Sequence, residues 1–249
     1  PVVAIYSSFL QRAYDQIIHD VCIQNLPVVF AVDRAGIVGS DGETHQGIFD
    51  LSYLSSIPNM HVMAPKNKWE LSDMMKYALS LNAPVAIRYP RAVSYTHLTL
   101  PAYAGLKEFR APIESFHAEA IYLEKDVCLL AVGSMVKTAE EVRRLIREAG
   151  YGCSLINARF VKPIDEKAVE YAKKHHGITA AMEENVASGG YGERVREYFD
   201  TLPGEGELLN FAIPDEYVEH GNVDLLKKEI GIDAASIAGA ILARLKERE

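Results

Sequence analysis

The sequence predicts an α/β protein of two domains, each built on a mostly parallel sheet flanked by helices. Three observations predict it. Short apolar runs alternate with stretches of helical spacing, the pattern of βαβ units. That alternation fades between residues 92 and 125 and then resumes, which separates two series by a connector. The 249 residues also suffice for two compact domains at roughly 100–200 residues each.

In the first series, residues 2–6 read as a strand. Residues 9–24 place Leu10, Ala13, Ile17 and Val21 at helical spacing, and 26–32 form an apolar run typical of a buried parallel strand. A Gly-rich polar loop covers 33–47. A short helix is expected at 49–56, a strand at 61–64, a helix at 68–81 opened near Asn67, and a strand at 84–88. Residues 1–91 are thus one domain and 92–125 a linker. The second domain, 126–249, repeats the alternation: strands at 126–132, 153–157, 177–182 and 208–213, with helices at 137–149, 165–174, from Tyr191, from Val223 and from Ala234.

Charge and cysteine usage narrow the function classes. Lys and Arg number 26 against 34 Asp and Glu, a net charge of −8 without a polybasic run, which argues against nucleic-acid and anionic-membrane partners. Cys22, Cys128 and Cys153 form no Cys-x-x-Cys pair and lie in apolar or strand-like surroundings. They read as reduced core residues of a cytoplasmic protein. No run reaches the roughly 18–20 apolar residues of a membrane span. Residues 1–6 read as a strand entered in mid-protein, so a longer protein extending before Pro1 is expected.

The most informative stretch is Asp33-Arg-Ala-Gly-Ile-Val-Gly-Ser-Asp-Gly-Glu-Thr-His-Gln-Gly47. It follows a strand, and in a parallel sheet ligands bind at the carboxyl edge. Gly36, Gly39 and Gly42 permit close backbone approach, while Arg34, Asp41 and His45 offer an anion partner, a carboxylate and an imidazole. A solvated turn that merely needs glycine explains the composition equally well. Asp41 and His45 without a third ligand do not make a metal site.

Tyr6 and Phe9 stand at another strand end, where they suit the wall of an apolar cofactor pocket, with Arg12 placed to hold a phosphate. Spacing alone favours core aromatics beside a surface arginine. Arg88-Tyr-Pro-Arg91 offers arginine at a third strand end, a pattern that suits a phosphorylated substrate. In the second domain Glu183-Glu184-Asn185 precedes Ser188-Gly-Gly-Tyr-Gly192. A structural helix start is favoured there over an anion site, because the two carboxylates would repel a phosphate.

Residues 1–16, 33–47, Arg88-Tyr-Pro-Arg91 and Arg159-Phe-Val-Lys-Pro-Ile-Asp165 strongly resemble the 1-deoxy-D-xylulose-5-phosphate synthase family of transketolase-like thiamine-diphosphate enzymes. The resemblance covers nearly the whole chain. It implies a pyrimidine-binding domain, truncated at its start, followed by a transketolase C-terminal domain. It also implies a homodimeric transferase that joins pyruvate to D-glyceraldehyde 3-phosphate with loss of CO2, feeding isoprenoid, thiamine and pyridoxal synthesis.

By matching position, Tyr6 and Phe9 are implied to line the cofactor's aminopyrimidine half, Arg12 and Arg91 to hold the aldehyde's phosphate with Arg34 nearby, and Asp41 and His45 to handle substrate hydroxyl and carbonyl groups. The family's diphosphate- and Mg2+-binding domain and its activating glutamate are not in this sequence, so the chain alone is expected to be inactive. Residues 93–101 depart from the family pattern and read as an insertion. Rival readings are another thiamine-diphosphate enzyme, either a transketolase or a 2-oxoacid dehydrogenase beta subunit, and a non-catalytic dimerisation module.

Overall fold

The computed structural model describes residues 1–39, 41–91, 111–114 and 116–248; the block expected as an insertion at 93–101 lies outside them. The first sheet contains β1 (Val2–Tyr6), β2 (Val29–Asp33), β3 (His61–Met63) and β4 (Val85–Arg88), all parallel, in the order β1-β2-β4-β3. The chain therefore skips past β2 to lay down β3 and returns to insert β4 between them. The carboxyl ends of β1, β2 and β4 consequently stand side by side, about 4.8 Å apart from one strand to the next.

The helix after β1 begins earlier than its apolar spacing suggests and changes type as it goes. It runs as α1 (Ser7–Leu10), a 3-10 turn (Gln11–Ala13), α2 (Tyr14–Gln16) and a π-helical segment (Ile17–Cys22). Leu10, Ile17 and Cys22 remain buried throughout, so one face keeps its contact with the sheet while the winding adjusts. The other expected helices form as α3 (Asp50–Ser55) and α4 (Lys68–Ser80). Asn67 caps α4 by accepting from the Glu70 N–H at 3.0 Å.

The second sheet follows the order β10-β9-β6-β7-β5. Its strands are β5 (Glu119–Tyr122), β6 (Val127–Ala131), β7 (Cys153–Asn157), β9 (Ile178–Val186) and β10 (Glu207–Ile213). Helices α5 (Met135–Glu148), α6 (Glu166–His175), α7 (Tyr191–Phe199), α8 (Val223–Glu229) and α9 (Ala234–Lys246) complete this half.

Two short strands depart from the boundaries that periodicity suggests. β5 lies inside the stretch expected as linker and pairs antiparallel with β7. β8 (Phe160–Lys162) comes from the second half of the sequence, yet it pairs antiparallel with β3 and closes the first sheet. Three or four residues are too few for an apolar period to show.

Alternate residues of each strand face opposite sides. Val29, Val85 and Ile87 pack beneath α4 with Met74 and Ala78, whereas Phe30, Val32 and Ala86 face the other way. There they join Leu51 and Leu54 of α3 and Cys128, Leu130 and Ala181 of the second sheet in one continuous apolar cluster. The two sheets thus share a core. All three cysteines are free and buried, and burial pushes the Cys153 thiol up to about 12. Among the described residues no helix is long and apolar enough to cross a membrane.

Candidate functional site at the carboxyl edge of the first sheet

Six of the seven residues singled out from the sequence meet at the adjacent ends of β1, β2 and β4. The Tyr6 and Phe9 rings lie 5.4 Å apart at 32°, and the His45 ring meets Phe9 edge-on at 5.6 Å. Phe9 is 42% exposed, so the aromatic wall is open among the described residues. The Arg34 guanidinium stacks over the Tyr6 ring at 4.2 Å and donates from Nη1 to Asp41 Oδ2 at 2.8 Å. Arg91 Nη1 approaches the same oxygen at 4.0 Å. His45 Nδ1 engages the Thr44 hydroxyl at 3.0 Å. Arg12 is exposed on its 3-10 turn and has no hydrogen bond or ion pair to another described residue.

The backbone that presents these groups is unusual. Arg34 and Gly36, Gly39 and Gly42 all have positive φ, a conformation that only glycine adopts without strain. Gly36 and Gly47 exchange two backbone hydrogen bonds, of 2.6 and 2.8 Å, which close the neck of the loop. A Cβ on Gly47 would lie 2.3 Å from the Arg34 carbonyl oxygen. The glycines therefore build a particular shape, and the solvated-turn reading does not account for that closeness.

The supporting roles of four residues, Arg88, Asp50, Gln46 and Glu184, do not follow from the sequence reading. Arg88 is not a rim arginine like Arg91. It is buried and donates from Nε to Asp50 Oδ2 at 2.8 Å, and from Nη2 to the carbonyls of Glu184 at 2.9 Å and Gly47 at 3.2 Å. Gln46 Oε1 accepts from the Val38 N–H at 2.8 Å while its Nε2 donates to the Glu219 carbonyl at 2.8 Å. Glu184 Oε1 accepts from the Ile37 N–H at 2.9 Å.

The tandem carboxylates separate by strand parity, which the sequence carries as a signal. Glu183 and Glu184 are neighbours on β9 and so face opposite sides. Glu183 accepts from the Tyr191 and Gly192 N–H groups, each at 2.8 Å, and fills the start of α7. A Cβ on Gly190 would lie 2.5 Å from its Oε2. This agrees with the structural reading of the Gly189-Gly190 turn. Burial pushes the Glu183 carboxyl up to about 7 despite these donors. Burial acts on Glu184 in the same sense, but Lys227, the Ser134 hydroxyl and the Ile37 N–H together hold that carboxyl below its ordinary value.

Residues 1–95 match the family described as transketolase, pyrimidine binding domain, and residues 117–237 match transketolase, C-terminal domain. The chain is 49% identical over 242 residues to 1-deoxy-D-xylulose-5-phosphate synthase of Lachnoclostridium phytofermentans, covering 97% of this chain and 37% of that protein. It is 46% identical over 245 residues to the synthase of Clostridium acetobutylicum, covering 98% and 38%. The chain belongs to this transketolase-like synthase family. It spans less than two-fifths of the length of these two curated relatives.

Among solved structures, the inactive β4 tetramer of a split-gene transketolase aligns with a TM-score of 0.83 over 99% of this chain and 76% of that one. At 24% identity that likeness shows the fold alone. Family membership brings an expectation of thiamine diphosphate, and the aromatic wall of Tyr6, Phe9 and His45 fits a flat heterocycle. Among the described residues no group of three or more His, Cys, Asp or Glu side chains is arranged to hold a metal ion.

Proposed function

We propose that this chain supplies the pyrimidine-binding unit (1–91) and the C-terminal unit of a 1-deoxy-D-xylulose-5-phosphate synthase, the latter read from the sequence as 126–249 and extended by β5 back to Glu119. In this reading the complete enzyme condenses pyruvate with D-glyceraldehyde 3-phosphate with loss of CO2, uses thiamine diphosphate and Mg2+, and works as a homodimer. One observation carries it. Three of the stretches resembling the family, 1–16, 33–47 and 88–91, come from separate parts of the sequence, and their Tyr6, Phe9, Arg34, Asp41, His45 and Arg91 side chains converge on one sheet edge.

When bound, thiamine diphosphate supplies the nucleophilic carbon and the electron sink for decarboxylation. Tyr6 and Phe9 would hold its pyrimidine half against their aromatic faces. Arg34 and Arg91 share the single carboxylate of Asp41, so the trio carries excess positive charge, and Arg12 adds to it. That excess suits the aldehyde's phosphate, with charge-assisted bonds from the guanidinium groups. Asp41 orients two of the arginines and accepts from a substrate hydroxyl. His45 has Nδ1 engaged by Thr44, which leaves Nε2 to give or take a proton at the carbonyl.

The test is a hybrid in which this chain replaces the matching portion of the L. phytofermentans synthase, beside the chain alone. With excess thiamine diphosphate and Mg2+, the hybrid forms product from both substrates and the chain alone forms none. Arg91→Ala in the hybrid weakens the phosphorylated aldehyde by about tenfold or more and leaves pyruvate unaffected, since a charge-assisted contact contributes roughly 1.5–3 kcal/mol. His45→Ala lowers turnover more than cofactor affinity. A well-folded hybrid without synthase activity would remove the reading.

A further inference from the structure

We propose that Glu184 is a positioning residue: from the second domain it fixes the neck of the loop that carries Arg34, Asp41 and His45. The functional half of this inference rests on the synthase reading above; the structural half does not. Among the described residues Glu184 forms no hydrogen bond or ion pair with any of those three side chains. It acts through the backbone.

The carboxylate is 3% exposed and has donors on both oxygens. Oε1 accepts from the Ile37 N–H at 2.9 Å. Oε2 accepts from the Ser134 hydroxyl at 2.6 Å, at the start of α5, and forms an ion pair with Lys227 Nζ of α8 at 3.3 Å. Two anchors thus belong to the second domain and one bond reaches into the loop. Gly36 lies flat against the same carboxylate, because a Cβ there would come within 2.7 Å of Glu184 Cδ. Ile37 adjoins the Gly36–Gly47 bridge, the pair that closes the neck. The bond from Glu184 therefore acts where the two ends of the loop meet.

Two further links run the same way. The Gln46 side chain ties Val38 to the Glu219 carbonyl, and the Gly221 N–H donates to the Gly39 carbonyl at 3.1 Å. A loop with several positive-φ residues has little local reason to keep one shape. Here residues far away in sequence add to the loop's own bonds, and Glu184 is the charged member among them. Guanidinium placement within a fraction of an ångström governs how well a phosphate is held, so loosening the neck acts on substrate affinity before it acts on the fold.

The experiment compares Glu184→Ala and Glu184→Gln by amide hydrogen exchange in the chain, then by kinetics in the hybrid. Local opening raises exchange only where the strut acts. For Glu184→Ala we expect about tenfold or faster exchange at 36–39 and at Gly47, with β6 and β7 amides unchanged. In the hybrid its KM for the phosphorylated aldehyde rises about tenfold, while kcat falls less and pyruvate KM stays put. Glu184→Gln keeps an acceptor for Ile37 and recovers most of both effects.

If Glu184→Ala does not fold, Ser134→Ala combined with Lys227→Met removes the anchors and leaves the loop's partner in place. The same amides must then exchange faster. Wild-type exchange in the loop of a folded variant overturns the proposal, and so does a loosened loop with unchanged aldehyde KM. A wild-type hybrid lacking synthase activity rejects the functional reading instead, and the exchange result still decides whether Glu184 sets the loop.

Discussion

Arg88 and Arg91 stand three residues apart. Arg88 is 2% exposed and bonded to Asp50 and two carbonyls, whereas the Arg91 side chain is half exposed and 4.0 Å from Asp41. The first belongs to a buried polar seam between the sheets, with Asp50, Glu183 and Glu184. The second belongs to an open rim. Arginine serves in the seam by donating to Asp50 and to two backbone carbonyls, and in our reading of the rim it is directed toward the substrate's phosphate. Charge type therefore says little about role until burial is known.

The strongest way to break that comparison is Asp50→Ala. It strands the Arg88 charge in the seam and is expected to cost about 3–5 kcal/mol in urea unfolding; a loss below about 1 kcal/mol would contradict the seam's role.

Glu183 comes next. Its folded pKa of about 7 lies above the ordinary 4.5, so the folded state holds its proton longer than the unfolded chain does. The contribution is fully present below pH 4.5 and is lost as pH rises to about 7. The loss is on the order of 3 kcal/mol. Arg88 and Glu193 face the same carboxyl with opposite effects, and Tyr191 and Arg194 lie beside it. Glu183→Gln should flatten this slope in Tm measured from pH 4 to 8; an unchanged slope assigns it to other groups.

Two glycine substitutions give effects of opposite sign. Gly47→Ala drives a methyl into the Arg34 carbonyl and should lower stability by about 1–3 kcal/mol. Gly239→Ala lies inside α9 with nothing within 4 Å of the new methyl, and should raise it by about 0.5–1 kcal/mol. Thermal unfolding of both variants checks the pair. Smallest of all, Arg91→Ala should shift stability by no more than about 0.5 kcal/mol, since its role in our reading is toward substrate.

Most of the fold was legible because parallel strands and their crossover helices leave long apolar signatures. β1, β2, β4, β6, β7 and β9 appear near their expected positions for that reason. β5 and β8 did not show, being short antiparallel edges recruited by a neighbour. The clustering at the candidate site was legible, since Tyr6, Arg34, Asp41, His45 and Arg91 sit at strand ends or on the loop that follows one. Its support was not. Ile37 and Glu184 are 147 positions apart, and only strand order brings them together. Nothing local marks Arg88 as buried and Arg91 as exposed; Arg88's partner Asp50 is the first residue of a helix 38 positions away.

β8 also bears on how the protein is made. The first sheet receives its last strand from residues 160–162, so the outer edge of β3 stays open while some hundred intervening residues are synthesised. At ~5–20 residues per second, that is an interval of roughly 5–20 s. For that time Val62 and Met63 present unpaired backbone N–H and C=O groups, the kind of edge on which nascent chains stick to one another. Cutting the chain between the two matched families would make this transient exposure permanent, because the missing strand would leave with the other half.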